Sequence, residues 1–441
     1  MLQKLGPEKN KGLPGCITGG SGFYLLLAGL LIFSIVLAAC GSPGSTTSSG
    51  PVTLTFGWWS NTPTKDNAMR AWVASFERAH PDIKVNLELL PWADYWEKLR
   101  VTIGGGNAYD IIGLCSCNSA SYLDDGALVD LTTLAGYQDA TKNLVGQSLA
   151  LNTWNDKVYG LPVGTSISLL GYSKKLLKAA GVPYPDPVTP LTFEQFKAMA
   201  KKLTSLDGPK AQYALNPSNI LDFDTFVRME GGHTYDNPIN PHKITINTPE
   251  GVQGLSDYLS LFTEHIAPPY DELNSGQWSF DLDALQAGNV AFSRVGLWLF
   301  TDMQHETSDI GVTPLFTIKN RVVTGGANSL SIYRGSKHKE AAWEFLKWAV
   351  QTPAQIDFAR FSDVPANKSA IAQMGSYIQP SQFVPTLQSA IPTFQPGVMT
   401  TKSQLSATLA DILTDMVHGK LTPAQAAAQM EQQGNVILSQ T

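Results

Sequence analysis

Aromatic and small polar residues follow or precede several of the strands that the sequence predicts. The four runs are Trp58-Trp59-Ser60, Cys117-Asn118-Ser119, Gly296-Leu297-Trp298 and Gly325-Gly326-Ala327-Asn328. In α/β proteins, ligands bind outside the carboxyl ends of strands. An indole face suits the apolar C–H side of a sugar ring, and Asn and Ser side chains match its hydroxyl groups. The runs therefore predict a binding site for such a ring, although core packing is the alternative for each tryptophan taken singly.

No catalytic signature accompanies these runs. The chain lacks Gly-x-Ser-x-Gly, His-Glu-x-x-His and the phosphate-binding Gly-x-x-x-x-Gly-Lys-Ser/Thr. The adjacent acids Asp124 and Asp125 point apart, so they do not form the pair of carboxylates, about 5–10 Å apart, that a glycosidase needs. The sequence therefore favours binding without chemistry, and a secreted carbohydrate-active enzyme is the alternative from another class.

Cys115 and Cys117 are the two cysteines outside the N-terminal region, where Cys16 and Cys40 lie. One intervening residue makes a disulfide difficult, because bridges need Cα atoms about 5.5 Å apart in a suitable orientation. No histidine cluster lies nearby in the sequence to complete a metal shell. Two free thiols, a disulfide and a metal site are the alternatives, and the sequence predicts no cofactor and no metal.

The first fifty residues have the features of an export signal. A basic leader precedes an apolar run over 23–39, which ends in Leu37-Ala38-Ala39-Cys40. This end resembles the bacterial lipobox, in which the cysteine thiol carries diacylglycerol. Residues 40–51 are rich in Gly, Ser, Thr and Pro, as in a flexible tether. We expect 1–39 to be a lipoprotein signal peptide and Cys40 to anchor the chain on the extracytoplasmic face of the cell membrane; an uncleaved transmembrane anchor is the alternative.

Composition and periodicity indicate the fold that must position these residues. The ~400 residues after the tether are too many for one core, which predicts two lobes, and the net charge of −6 argues against nucleic acid as a partner. Predicted elements alternate as strand 52–57, helix 65–79, strand 83–89, helix 95–101 and strand 110–114. This rhythm is typical of an α/β sheet with crossover helices. Thr192 and Gln195 have the spacing of a helix capping box.

Seven motifs occur in an order that resembles a known family. They lie at 155–162, 170–176, 190–196, 285–292, 296–298, 336–348 and 364–367. The first, Asn-Asp-Lys-Val-Tyr-Gly-Leu-Pro, is similar to a Gly-Lys-x-Tyr-Gly-Leu-Pro turn, with Asp156 in place of the first glycine. Together they resemble family-1 extracellular solute-binding proteins, the maltose-binding-like capture subunits of ABC sugar importers. The resemblance covers most of the chain after residue 52.

The resemblance implies a periplasmic-binding-protein-like α/β fold, with two discontinuous lobes, a hinge and a central ligand cleft. Projected onto this sequence, lobe 1 comprises 52–163 and 292–326, and lobe 2 comprises 164–291 and 327–441. The ligand-binding residues carried over are Trp58, Trp59, Ser60, Asp110, Tyr172, Trp298, Gly325, Gly326 and Asn328. We add Asn118, Thr165 and Arg360 on strand-end or loop position alone, and a surface ion pair is the alternative for Arg360.

The same resemblance implies a function and partners. A monomer would capture a mono- or oligosaccharide outside the cell and deliver it to the permease subunits of an ABC importer by hinge closure. Alternatives that keep the fold are a polyamine ligand, which would need several acids at the strand ends, and glycerol phosphate, which would need Arg or Lys there. A surface sensor that does not transport is a further alternative.

Overall fold

The computed structural model describes residues 51–206, 211–217, 222–273, 281–301 and 309–440. The predicted signal peptide, the predicted lipidation at Cys40 and nearly all of the predicted tether lie outside these ranges. Within the described ranges, no helix combines the length and the apolar character needed to cross a bilayer.

Strands and helices alternate along the first part of the chain, as predicted. The strands are β1 Val52–Trp59, β2 Ile83–Leu90, β3 Ile111–Cys115, β4 Thr153–Trp154, β5 Lys157–Val158, β6 Leu161–Ile167, β7 Leu169–Ser173, β8 Tyr213–Asn216, β9 Val290–Val295, β10 Ile310–Thr313, β11 Val323–Ile332 and β12 Phe394–Pro396. The helices are α1 Pro63–Ala79, α2 Trp92–Gly104, α3 Ala120–Asp124, α4 Tyr137–Thr141, α5 Gly146–Ala150, α6 Lys174–Ala179, α7 Phe193–Leu203, α8 Phe223–Glu230, α9 Pro249–Thr263, α10 Asp281–Gln286, α11 Leu297–Phe300, α12 Lys339–Ala349, α13 Thr352–Ala359, α14 Lys368–Ile371, α15 Val384–Ala390, α16 Ser403–Val417 and α17 Pro423–Leu438. The predicted α/β class is confirmed.

The first sheet has the strand order β12-β11-β3-β1-β2, and β6 also pairs with β11. β1 is parallel to β2 and β3, so α1 and α2 are the crossover helices of this sheet. β11 runs antiparallel to β3 and β6, and its first residues therefore lie beside the carboxyl end of β3. β1 extends two residues beyond its predicted end, which makes Trp58 and Trp59 its last two residues.

The second sheet has the order β10-β7-β9-β8. Here strand pairing differs from the predicted lobe boundaries, because β9 lies between β7 and β8 although the sequence places 292–326 in lobe 1. β11 likewise belongs to the first sheet, although the sequence places 327–441 in lobe 2. The boundaries were projected from the family resemblance, and the positions of motifs along the chain do not fix which strands pair. The division into two closing lobes remains a prediction.

Local sequence signals explain how several elements begin and pack. Thr62 caps α1 and Pro63 occupies its first turn, so the helix begins two residues before its predicted start. The predicted capping box of Thr192 and Gln195 is confirmed at the start of α7. On β3, a Cβ at Gly113 would collide with the Trp58 ring, so only glycine lets this indole lie against the sheet.

Candidate functional site

A cavity of about 540 Å³ opens beside the carboxyl ends of β1 and β3 and the start of β11. Its lining residues come from both sheets and their loops: Trp58, Trp59, Asn61, Lys65, Asp66, Met69, Trp92, Cys115, Ser116, Cys117, Leu151, Ser166, Asp222, Asp224, Arg294, Trp298, Thr324, Gly325, Gly326, Asn328, Phe361, Ser362, Asp363, Gly397, Val398 and Met399. A second depression, of about 570 Å³, lies near Asn143 and Lys347 and has no aromatic side chain in its lining. The mixture of indoles and polar groups makes the first cavity the candidate site.

A cluster of tryptophans forms one wall of this cavity. Trp58 and Trp59 stack with ring centroids 4.0 Å apart and planes inclined by 19°. The Trp92 ring meets Trp59 edge-on at 5.2 Å, and it is 42% exposed, whereas Trp58 and Trp59 are 4% and 7% exposed. Trp96 stacks on Trp59 from behind the lining, at 6.1 Å. The two inner indoles are therefore covered by one another and by Trp96, whereas Trp92 keeps an apolar face open to solvent.

A second aromatic contribution comes from Trp298 on α11. The Arg294 guanidinium lies 5.2 Å from the centroid of this indole, within the range of a cation–π contact. The Lys65 ammonium donates to the Trp298 carbonyl oxygen at 2.5 Å, which ties α11 to α1. The two cations therefore lie in the cavity wall beside an aromatic ring.

Asp363 is the most deeply buried acid of the cavity wall, with 1% of its surface exposed. It accepts a short hydrogen bond from the Asn328 amide. Burial raises the pKa of its carboxyl to about 6, against the opposing influence of Lys65, Ser166, Asn328 and Arg294. Its Oδ1 has no hydrogen-bond partner in the described ranges. A buried acceptor without a donor is costly, so Asp363 is suited to receive a donor from a ligand.

A second acidic group comes from the start of α8. Asp222 caps this helix by accepting from the Thr225 N–H at 2.9 Å, and burial, together with the neighbouring Asp224 charge, raises the pKa of Asp222 to about 6. Asp224 forms an ion pair with Arg228 at 2.7 Å. Arg228 in turn donates to the Pro396 carbonyl oxygen at 2.9 Å, which fixes α8 against β12. The Oδ1 of Asp224 is buried and meets no donor among the described residues.

The structure brings half of the predicted site residues to this cavity. Those in its lining are Trp58, Trp59, Trp298, Gly325, Gly326 and Asn328. Those outside it are Ser60, Asp110, Asn118, Thr165, Tyr172 and Arg360. Ser60 lies between the lining residues Trp59 and Asn61, and its hydroxyl donates to Asp66 at 2.5 Å, so it orients an acid of the wall.

Asp110 and Tyr172 contact other protein groups within the fold and do not line the cavity. Asp110 accepts from both the N–H and the hydroxyl of Thr55, each at 2.8 Å, and from the Ser336 hydroxyl at 2.6 Å. It therefore joins β1 to the loop after β11. Tyr172 lies on β7, where its ring is 6.0 Å from Phe292 and covers Gly311. Burial raises the pKa of the Tyr172 phenol.

The three residues chosen on position alone also lie outside the cavity. The buried Thr165 hydroxyl is 2.7 Å from that of Ser148. Arg360 is 55% exposed and lies 3.7 Å from Asp357, one helical turn away, as its surface alternative predicts. Asn118 is exposed in the turn that follows β3.

Cys115 and Cys117 are joined by a disulfide, which decides between the three alternatives left by the sequence. Both cysteines and the intervening Ser116 line the cavity. The described ranges contain no group of three or more His, Cys, Asp or Glu side chains placed to hold a metal ion.

Several lining residues escape the sequence analysis. Trp92 could have been found by the rule applied to Trp58, since it follows β2 after one proline. Asp222 and Asp224 lie at a helix start, and their N-terminal position indicates capping rather than ligand contact. Asp363 lies in a loop with no periodic signal, and only its burial distinguishes it.

Comparison with known proteins identifies the family. Residues 59–356 match the family of bacterial extracellular solute-binding proteins. A galactooligosaccharide-binding protein of Bacillus subtilis is 25% identical over 349 residues, which cover 76% of this chain and 78% of that protein. A maltooligosaccharide ABC transporter solute-binding lipoprotein of Streptococcus pneumoniae is 23% identical over 366 residues, which cover 78% and 80%.

A solved structure shows the same fold. It is an ABC substrate-binding protein from Listeria monocytogenes in complex with cycloalternan, with a TM-score of 0.73 and 24% identity, covering 89% of this chain and 100% of that one. These relatives are binding proteins, and the resemblance drawn from the seven motifs is confirmed. The chain belongs to the bacterial extracellular solute-binding protein family.

Proposed function

We propose that the protein captures a sugar, a mono- or oligosaccharide, outside the cell and delivers it to an ABC importer by hinge closure, without chemistry. The observation that carries this proposal is the meeting of tryptophan side chains, among them the exposed face of Trp92, with buried hydrogen-bonding groups in one cavity. An indole stacks on the apolar face of a sugar ring, and Asn328 and Asp363 match its hydroxyl groups.

The cavity is built from elements of both sheets, which supports closure. Trp58 and Trp59 end β1 of the first sheet, while Arg294 lies on β9 of the second. A ligand that contacts both walls favours the closed arrangement because it gains contacts on both sides only there. Scattering should therefore give a smaller radius of gyration with saturating ligand, and an unchanged radius would contradict closure.

The relatives suggest the ligand class. The proteins of Bacillus subtilis and Streptococcus pneumoniae are named for galactooligosaccharides and maltooligosaccharides. Trp92 is half exposed beside the buried Trp59, and the half-buried Trp298 also lines the cavity, so two indoles from different elements can each contact a sugar ring. An oligosaccharide fits this arrangement better than a single ring.

Charge in the lining bears on the alternatives. The four aspartates of the lining would suit a polyamine, but Lys65 and Arg294 share their wall. Asp66, Asp222, Asp224 and Asp363 each already accept a hydrogen bond or an ion pair from a protein group. The same four acids repel a phosphate ester. An uncharged ligand rich in hydroxyl groups is therefore favoured.

A thermal-shift panel tests the proposal. It contains glucose, maltotriose, a galactooligosaccharide and an arabinooligosaccharide, with spermidine and glycerol phosphate as the other arms. A ligand at 100 times its Kd stabilises the folded state by about 2.7 kcal/mol, so a sugar should raise the melting temperature by a few degrees. A shift with spermidine or glycerol phosphate alone would overturn the assignment. Cleavage products in the same oligosaccharide mixtures would indicate that the protein is a carbohydrate-active enzyme instead.

The lipid anchor is part of the same proposal. A lipid on Cys40 would keep the binder near the permease, and the tether over 40–51 would leave it free to turn. Mass spectrometry of the membrane-extracted protein should give a lipid-modified Cys40 at the N-terminus. Cys40→Ala should abolish this modification, and an unmodified, membrane-bound wild-type chain that retains residues 1–39 would support the transmembrane anchor.

A further inference from the structure

The turn after β3 contains a covalent link inside the candidate cavity. We name residues 115–118 the disulfide turn. Its bridge joins Cys115 and Cys117, whose Cα atoms are 5.2 Å apart. Cys115, Ser116 and Cys117 all line the cavity, and Cys117 is exposed while Cys115 is half-buried. The bridge is thus part of the wall that a ligand would meet.

Hydrogen bonds attach the disulfide turn to β11. The Ser116 N–H donates to the Ala327 carbonyl oxygen at 2.9 Å, and the Ala327 N–H donates to the Ser116 hydroxyl at 3.0 Å. A Cβ at Gly326 would collide with that hydroxyl, so glycine permits the close approach. Gly326 and Asn328 line the cavity too. The disulfide turn and the start of β11 therefore form one continuous surface.

Asn118 connects the disulfide turn to the tryptophan wall. Its N–H donates to the Cys115 carbonyl oxygen at 2.9 Å. With the amide oriented to satisfy both of its groups, its nitrogen donates to the Cys117 carbonyl oxygen at 2.9 Å and its oxygen accepts from the Trp96 indole at 3.3 Å. Trp96 stacks on Trp59. A movement of residues 117–118 would therefore reach the aromatic wall.

Resting on the proposed carbohydrate capture, we propose that the Cys115–Cys117 bridge is a positioning element of the ligand site, and that its reduction by a dithiol weakens binding without unfolding the protein. The two hydrogen bonds of Ser116 hold the middle of the turn without the bridge. Asn118 keeps its N–H bond to the Cys115 carbonyl oxygen, and Cys117 gains backbone freedom, which ligand binding must remove again. Ordering one residue corresponds to an affinity loss of about tenfold.

The reduction is a balanced exchange. A thiolate of the dithiol attacks the sulfur of Cys117, the exposed cysteine of the pair, and the Cys115 thiolate leaves and takes a proton. The second thiolate of the reagent then displaces Cys117, which also takes a proton. The dithiol is oxidised to a cyclic disulfide, and the protein gains two thiols.

The test compares three states of the full chain: oxidised wild type, wild type reduced with dithiothreitol, and the C115S/C117S variant. The probe is the oligosaccharide among maltotriose, the galactooligosaccharide and the arabinooligosaccharide that gives the largest thermal shift with oxidised wild type. Titration calorimetry should give about tenfold weaker binding for both the reduced protein and the variant. Dithiothreitol should not change the affinity of C115S/C117S, which controls for effects of the reagent elsewhere.

Two further measurements separate positioning from bulk stability. The melting temperature without ligand should differ by no more than a few degrees between the oxidised and reduced wild type. Saturating oligosaccharide should slow the reduction of the bridge, because the ligand would cover Cys117 in the cavity lining. A bridge remote from the site would not be protected. If C115S/C117S does not fold, the comparison of oxidised with reduced wild type still tests the role of the bridge.

Equal affinities for oxidised and reduced wild type, within twofold, would overturn the inference and leave the proposed function intact. A melting temperature that falls far enough on reduction to account for the lost binding would overturn it as well, since the bridge would then act on folding. If oxidised wild type binds no member of the sugar panel, the proposed function fails, and the inference fails with it.

Discussion

Replacement of Asp363 by asparagine isolates the effect of one buried acid in the cavity wall. Asparagine has nearly the same shape and retains an oxygen that can accept from Asn328, but it does not ionise. Burial raises the pKa of the wild-type carboxyl from 3.8 to about 6. The folded state therefore holds this proton more tightly than the unfolded chain does, and the stability that Asp363 contributes is greatest at low pH.

The difference in pKa sets the size of the effect. Because each pKa unit corresponds to 1.36 kcal/mol, the interval from 3.8 to about 6 corresponds to about 3 kcal/mol. This stability is fully present below the unfolded pKa and is lost as the pH rises through the folded pKa. Between pH 4.5 and pH 8, wild type should lose about 2 kcal/mol of unfolding free energy relative to Asp363→Asn.

Urea unfolding of both unliganded proteins at pH 4.5, 6 and 8 measures this loss. Asp222, whose pKa is also raised to about 6, is present in both proteins, so its titration cancels in the comparison. The new amide N–H₂ group can add a pH-independent difference in unfolding free energy between the two proteins. The test therefore uses only the change of this difference with pH. A difference in unfolding free energy that stays constant across this range would show that the Asp363 carboxyl is not desolvated in the folded state.

Three other substitutions separate binding from stability. Trp92→Ala should weaken oligosaccharide binding about five- to tenfold in calorimetry, because a stacking surface is lost. The control Tyr184→Ala changes an aromatic side chain that is 49% exposed outside the cavity, and it should leave the affinity unchanged. Equal losses of affinity in the two variants would contradict a specific role of Trp92. Asp110→Ala should lower the unfolding free energy by about 1–3 kcal/mol, because three donors lose their acceptor. The oligosaccharide affinity should change little, and a loss of affinity without a loss of stability would support the predicted ligand role of Asp110. Gly113→Ala should destabilise the protein by about 1–3 kcal/mol in urea unfolding, because the new methyl group would displace the Trp58 ring. An unchanged unfolding free energy would show that the indole has room to move.

The fold was accessible from sequence where the signal is local. Alternating apolar residues marked β1 and β2, and the Thr192 capping box marked the start of α7. The pairing partners of β9 and β11 could not be predicted, because the residues of a single strand do not determine which strand it pairs with. The lobe boundaries, which were projected from the family resemblance, therefore remain a prediction at both elements.

The candidate site divides in the same way. Residues at strand ends, such as Trp58 and Trp298, could be predicted because topology brings such ends together. Asp363 and Asp224 could not be predicted, since they line the cavity only because a distant loop and the start of α8 pack beside it. Asp110 lies outside the cavity lining for a physical reason: a carboxylate at a strand start accepts from a neighbouring backbone N–H as readily as from a ligand hydroxyl.

The stability effect and the proposed binding role of Asp363 have one cause. Removing the carboxyl from water destabilises its ionised form, and the same low-polarity surroundings strengthen any hydrogen bond that a ligand donates to it. Since Oδ1 has no donor among the described residues, a sugar hydroxyl would supply the missing partner and lower the pKa of the bound form. Oligosaccharide affinity of wild type should therefore rise between pH 5 and pH 7, and Asp363→Asn should remove this rise. If the variant kept the same pH dependence, the donor would go to another acid of the wall, and Asp222, with its pKa also near 6, would be the next to substitute.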